Sequence, residues 1–230
     1  MHAEPDPQPD RQLDPQRREQ ILLALRAVLP ADALLYREED TRPYECDGLS
    51  AYRRLPLAVT LPHNEAQVQA VLKVCHQLQV AIVPRGAGTG LSGGALPISE
   101  GIVLSTARLN RIEYIDPVAR TALVQPGARK LAISEAAAQY GLYYAPDPSS
   151  QIACTIGGNV AENSGGVHCL KYGLTLHNVM AVRMLDSSGE VIELGSAALD
   201  APGLDLLSLV IGSEGMLGVL TQVRVKLLPL

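Results

Sequence analysis

A chain of 230 residues with 47% hydrophobic and 19% charged side chains can hold one large domain or two small ones, and is too apolar for a disordered polymer. Its formal net charge of −5, with no dense Lys/Arg run, argues against a nucleic-acid footprint and gives no surface for acidic lipid. Phe and Trp are both absent, so the core has to be built from Leu, Val, Ile and Ala.

Residues 1–13 are rich in Pro, Asp and Gln, carry no apolar signal core, and read as a disordered tail on a cytoplasmic protein. Residues 14–56 read as a helical lead-in. Asp14 caps a helix over Pro15–Leu29, Pro15 takes its first position, and Ile21, Leu22, Leu25, Val28 and Leu29 share one face before Pro30. Ile21–Leu29 is the longest apolar stretch, and Arg26 interrupts it well short of a bilayer span. Ala58–Leu61 is a short strand. Asn64 with Gln67 makes a capping-box-like start to a helix carrying Val68, Val71, Leu72, Cys75 and Leu78 at helical spacing. Val80–Val83 is a buried strand that runs into a glycine-rich loop.

Beyond the loop the pattern is rich in strands: Gly101–Ser105, Ile112–Ile115 and Thr121–Gln125. A helix over Arg129–Tyr140 closes on Gly141. Val179–Leu185 and Val191–Leu194 flank a hairpin loop, Asp186 to Gly189. The last strand alternates, with Val219, Thr221, Val223, Val225 and Leu227 on one face and Gln222, Arg224 and Lys226 on the other. The expected architecture is α+β, two small subdomains with a ligand crevice between them.

The cysteines, Cys46, Cys75, Cys154 and Cys169, form no C-x-x-C pair. Cys154, His168 and Cys169 make a poor zinc set without a fourth ligand, and read rather as buried free thiols beside a structural histidine; no metal is expected.

Thirteen of the 20 glycines fall in three short stretches: Gly86 to Gly94, Gly157 to Gly173, and Gly212 to Gly218. Turns explain one or two glycines per loop, not five in nine residues. Backbone passing close to an anionic ligand explains them better. The first stretch contains G-x-G-x-x-G at Gly88, Gly90 and Gly93, and G-x-S-x-G at Gly90, Ser92 and Gly94. Both motifs must open a helix, and here Pro97 and a strand follow, so both are rejected.

What remains is a diphosphate cradle without a Rossmann helix. Pro84 to Gly94 resembles the pyrophosphate loop of the FAD-linked oxidases related to p-cresol methylhydroxylase and vanillyl-alcohol oxidase. Pro146-Asp147-Pro148-Ser149-Ser150 followed by Thr155 to Gly166 is similar to that family's second flavin-contacting segment, and Ile211 to Thr221 to its third. The likeness covers 57–230. Its wording is nearest to the D subunits of glycolate oxidases, including Gly166-Val167-His168-Cys169-Leu170-Lys171-Tyr172-Gly173-Leu174-Thr175. D-lactate and D-2-hydroxyglutarate dehydrogenases are near relatives.

The resemblance implies that Pro84, Arg85, Gly86, Ala87, Gly88, Thr89, Gly90 and Gly93 cradle the FAD pyrophosphate, with Arg85 either on phosphate or on a solvated edge. Pro146, Ser149, Thr155, Gly157, Gly158, Asn159, Asn163 and Gly165 would line the flavin side, where Thr155 also suits a helix cap. Gly218 and Val219 would meet the adenine end, with Glu214 either a surface carboxylate or a support to a cofactor contact. Some relatives attach flavin through a histidine in R-x-G-x-H; Thr89 holds that position, so FAD is expected without a covalent link. His168 and His177 are candidate bases whose commoner role is structural. In the resembled family the substrate clamp and base, often with a metal, lie in a second domain, here expected beyond Leu230. The resemblance further implies a 2-hydroxy-acid substrate, glycolate or D-lactate, and partner subunits: a second flavin subunit and an iron–sulfur subunit; a non-catalytic flavin-binding module is the alternative of a different class. Through the partner subunits the protein could sit peripherally at the inner membrane.

Overall fold

Helix α1 (Pro15–Val28) starts under the Asp14 side chain, which accepts the Gln16 amide, and buries Ile21, Leu22 and Leu25. The computed structural model describes residues 14–198 and 203–230, so the tail expected over residues 1–13 lies outside it. The lead-in is more than helical. It also supplies a two-residue strand, β1 (Leu34–Leu35), and a single helical turn, α2 (Glu38–Thr41). β1 pairs antiparallel with β2 (Ala58–Thr60), Leu35 opposite Val59.

Helix α3 (Glu65–Gln77) follows β2, and its cap is reciprocal. Asn64 accepts the Gln67 amide at 3.0 Å, while the Gln67 side chain accepts the His63 amide at 2.7 Å. The chain returns in β3 (Ile82–Arg85) and, after the glycine loop, in β4 (Ile102–Ser105). β4 inserts between β2 and β3 and runs parallel to both, in the order β1-β2-β4-β3. Parallel strands covered on both faces read as continuous apolar runs, and β4 is buried along its whole length. α1 and α3 pack together with β2 and β4 in a first core of Leu, Val and Ile.

The second sheet is antiparallel: β5 (Ile112–Asp116), β6 (Thr121–Val124), β8 (Val179–Leu185), β9 (Val191–Gly195) and β10 (Val219–Lys226), in the order β5-β6-β10-β8-β9. Between β6 and β8 run α4 (Lys130–Ala138), β7 (Leu142–Tyr143), α5 (Ile156–Glu162), α6 (Cys169–Tyr172) and α7 (Thr175–Asn178). α8 (Leu206–Val210) precedes β10, and β11 (Leu228–Pro229) pairs with β7. The β8–β9 hairpin turns on Asp186, whose Oδ1 accepts the amides of Ser188 and Glu190 at 2.8 and 2.9 Å. β10 alternates buried and half-buried residues as its sequence predicts, and α4 and α5 cover a second core on this sheet.

A charged clamp joins the layers. Arg183 on β8 makes a bidentate pair with Glu65 at the start of α3 (2.8 and 2.9 Å), and the Thr221 hydroxyl of β10 donates to the same carboxylate. The Arg183 hydrogen bonds hold the Glu65 pKa below its ordinary value of 4.5. A depressed carboxylate pKa adds stability above the unfolded value, and that stability is lost as pH falls through the folded value. Both side chains are about a third exposed, so solvent screens the pair to about 1 kcal/mol. Glu65→Gln should therefore lower the melting temperature at pH 7 by about 2–4 °C. The difference should close as the melts are repeated down through pH 4.5. Equal melting at pH 7 would show that the clamp does not hold the layers.

Candidate functional site

Pro84 and Arg85 end β3, and the loop that follows forms one wall of a cavity of about 300 Å³ between the two layers. Among the described residues, no backbone amide from Gly86 to Ala95 donates to another group of the chain. Residues 86–95 are half-buried or exposed, so these donors can meet water, and on a cavity wall the same run can take an anionic acceptor from outside. Two glycines make the run possible. Gly88 has φ +69°, and a Cβ there would lie 2.3 Å from Arg85 Nη2. Gly86 presses on the start of α5, where a Cβ would lie 2.4 Å from Thr155 Oγ1.

Arg85 is buried, which rules out a solvated edge. Its Nη1 donates to the Cys46 carbonyl at 2.7 Å and the Ala95 carbonyl at 3.3 Å, and the guanidinium lies 5.6 Å from the Tyr44 ring centroid. Burial lowers its pKa, opposed by the charge of Asp47. Arg85 thus braces the loop from behind, tying its end to the lead-in segment.

The second wall is α5 and its cap. Thr155 accepts the Gly158 amide at 3.3 Å, and the amides of Ile156 and Gly157 go to the Ala128 and Pro126 carbonyls at 2.8 Å. Asn159 is 1% exposed, and its Nδ2 finds no oxygen acceptor, only the Cys154 sulfur beside it. The third glycine segment hangs on α5, Gly212 and Glu214 donating to the Val160 and Ala161 carbonyls at 2.8 and 2.9 Å.

The cavity brings together Pro84 to Gly90, Thr155, Gly157, Gly158, Asn159, Glu214, Gly218 and Val219. Five residues of the expected set stand outside its lining. Gly93 turns the loop at φ +80° and leaves Gly94 on the wall. Pro146 is buried and Ser149 exposed, so their segment presents Ser150 and Cys154 instead. Asn163 ends α5 at φ +48°, its Oδ1 accepting the Leu176 amide at 3.0 Å, and Gly165 packs on Leu174. These two shape the wall without forming it. Sequence reasoning missed Asp47, Thr106, Pro126 and Glu162, which also line the cavity. Only Glu162, inside the quoted second motif, had a local signal.

Neither histidine candidate lines the cavity. His168 Nδ1 pairs with Asp147 Oδ2 at 2.5 Å on an exposed edge. His177 Nδ1 accepts the Leu174 amide and caps α7. Burial pushes the Cys154 thiol pKa up, which keeps it a neutral thiol and a poor nucleophile. Among the described residues, no three His, Cys, Asp or Glu side chains are grouped to hold a metal.

The free amides, the close glycines and an Asn159 amide without an oxygen acceptor fit a ligand with an anionic diphosphate and a ring bearing acceptors. Comparison with known proteins agrees. Residues 56–195 match the family described as FAD binding domain. The chain is 62% identical over 212 residues, 92% of its length, to Glycolate oxidase subunit GlcD of Escherichia coli (strain K12), and spans 42% of that protein. It is 38% identical over 201 residues, 87% of its length, to a D-lactate dehydrogenase of Archaeoglobus fulgidus, spanning 44% of it. A solved structure of alkyldihydroxyacetonephosphate synthase superposes with a TM-score of 0.82 over 92% of this chain and 40% of its own, at 23% identity, a likeness of fold alone.

Gly88→Val tests the cradle. A β-branched residue at φ +69° pays about 1–2 kcal/mol in backbone strain and displaces Arg85, so FAD affinity should fall at least about tenfold in a flavin-fluorescence titration. Gly141→Ala is the control, with positive φ but nothing within 4 Å and no place in the cavity. It should lower stability and leave affinity alone. Unchanged affinity in Gly88→Val would refute the cradle.

Proposed function

Because the chain belongs to the FAD binding domain family, we propose that it holds FAD non-covalently in this crevice as the flavin-binding portion of a D-2-hydroxy-acid oxidoreductase. The substrate is glycolate, oxidised to glyoxylate. The observation that carries the cofactor site is the run of unpaired amides from Gly86 to Ala95. They would take the diphosphate oxygens, while Thr155, Gly157, Gly158 and Asn159 form the flavin wall and Gly218 and Val219 the adenine end. FAD supplies a two-electron acceptor for the hydride from the substrate C2, the hydroxyl proton leaving to a base. Thr89 has no nucleophilic nitrogen for a flavin bond, and burial raises the Cys154 thiol pKa, so neither residue favours a covalent link.

A 2-hydroxy acid also needs a cationic clamp for its carboxylate. Among the described residues, Arg85 is the one cation on the cavity wall, and it already donates to two carbonyls. The clamp and base are therefore assigned to a second domain, with residues 57–230 as the FAD domain. The chain spans less than half the length of the relatives described above. The likeness to the E. coli subunit supports glycolate and a multi-subunit enzyme; a second flavin subunit and an iron–sulfur subunit are the partners that the sequence resemblance implies. Among the described residues no helix is long and apolar enough to cross a membrane. The reading of the protein as cytoplasmic, with contact to the inner membrane through those partners, rests on the sequence resemblance. D-lactate is the second reading, supported by the Archaeoglobus relative.

Acid denaturation of the purified flavoprotein should release all its flavin to the supernatant; colour in the pellet would exclude a non-covalent site. In a dye-reduction assay of the protein that carries this chain, kcat/KM should be higher for glycolate than for D-lactate. The reverse order would transfer the assignment to D-lactate.

A further inference from the structure

We propose that the Asp47 carboxylate is a hydrogen-bond acceptor for a sugar-chain hydroxyl of the bound dinucleotide, supplied by a segment that the family match, residues 56–195, does not include. The inference rests on the FAD reading. Asp47 lines the cavity and is 6% exposed. Its Oδ1 accepts the Leu49 amide at 2.9 Å, but its Oδ2 is sealed from solvent with no partner. A buried carboxylate oxygen without a donor is costly, and native structures seldom leave one so.

The segment is held in place. A Cβ on Gly48 would lie 2.6 Å from the Gly90 carbonyl and 2.9 Å from that of Thr89, so residue 48 is pressed onto the cradle loop. Arg85 fixes the Cys46 carbonyl on the other side. Asp47 thus stands beside the free amides of the loop, at the margin of the region that takes anionic oxygens. A carboxylate repels phosphate, so it has to face a neutral donor next to the diphosphate. In FAD those nearest donors are hydroxyls, on the ribityl chain at one side and the ribose at the other. Glu162 also lines the wall, but its Oε2 already receives the Ser92 hydroxyl at 3.2 Å. Glu214 lines it too but is exposed, so among the described residues of the wall Asp47 is the carboxylate with a buried oxygen left without a donor.

Calorimetric titration of the full protein with FAD, riboflavin and ADP tests this, comparing wild type with Asp47→Asn. The asparagine keeps the Leu49 bond and turns an acceptor into a donor at the open position. FAD affinity should fall about tenfold, the usual size of a hydrogen bond to a charged group. One small ligand should weaken and the other not: riboflavin if the hydroxyl is ribityl, ADP if it is on the ribose. Unchanged FAD affinity would mean that Oδ2 meets no group of the ligand and would overturn the proposal. So would equal losses for riboflavin and ADP, which would place the effect in the loop. Melting of the ligand-free proteins checks the fold, with Asp47→Ser as a second variant, and unfolding of both would assign Asp47 to packing and reject the proposal. If wild type itself fails to bind FAD, the FAD reading falls instead.

Discussion

Arg85 stands where the lead-in segment, the end of β3 and the end of the glycine loop meet, and its guanidinium donates to the Cys46 and Ala95 carbonyls. A guanidinium has a fixed fork of donors and keeps its charge even when burial lowers its pKa. Here the fork draws two carbonyls behind the loop, and the amides from Gly86 to Ala95 keep no acceptor among the described residues. Gly88 has to lack a Cβ because the Arg85 guanidinium fills the space a Cβ would need. The brace and the glycine are one device.

The loop needs a wall opposite, and the two sheets provide it. The parallel sheet delivers β3 and the loop, while α5, packed on the antiparallel sheet, delivers Thr155 and Asn159. The Glu65–Arg183 pair ties the layers, and Leu185 and Val219 of the second sheet belong to the first core. Small shifts between the layers would open the crevice, so this pairing supports the site although it lies outside it.

The charge pattern of the cavity is uneven in a useful way. Free backbone amides on one loop offer partial positive charge without a cationic side chain, as suits a diphosphate held by shape. Three carboxylates, Asp47, Glu162 and Glu214, line the same cavity. On the proposed reading they would bound the anion-taking loop and favour donors around it. A Rossmann site obtains similar polarity from a long helix. Here the loop runs instead to β4, and the backbone of a single excursion supplies it.

Much of this was legible in the sequence. Asp14 and Asn64 cap the helices that local rules assign to them, the Asp186 turn closes its hairpin, and β10 buries alternate residues as its pattern requires. The glycine spacing marked Gly86 to Gly94 as backbone that runs close to other groups, and most of that stretch lines the cavity; the absence of a following helix excluded a Rossmann loop. These features depend on periodicity, caps and glycine density over a few neighbouring residues, which are properties of the chain itself. Strands β1, β7 and β11 have two residues each and carry no period, so only their partners define them. Arg85 read equally well as a phosphate ligand or a surface residue until the carbonyls of Cys46 and Ala95 were seen around it. Glu65 and Arg183 are 118 positions apart, and Asp47 reaches the cavity from a segment with no motif. A buried donor or acceptor takes its role from whatever packs beside it, and for these residues that neighbour comes from elsewhere in the chain.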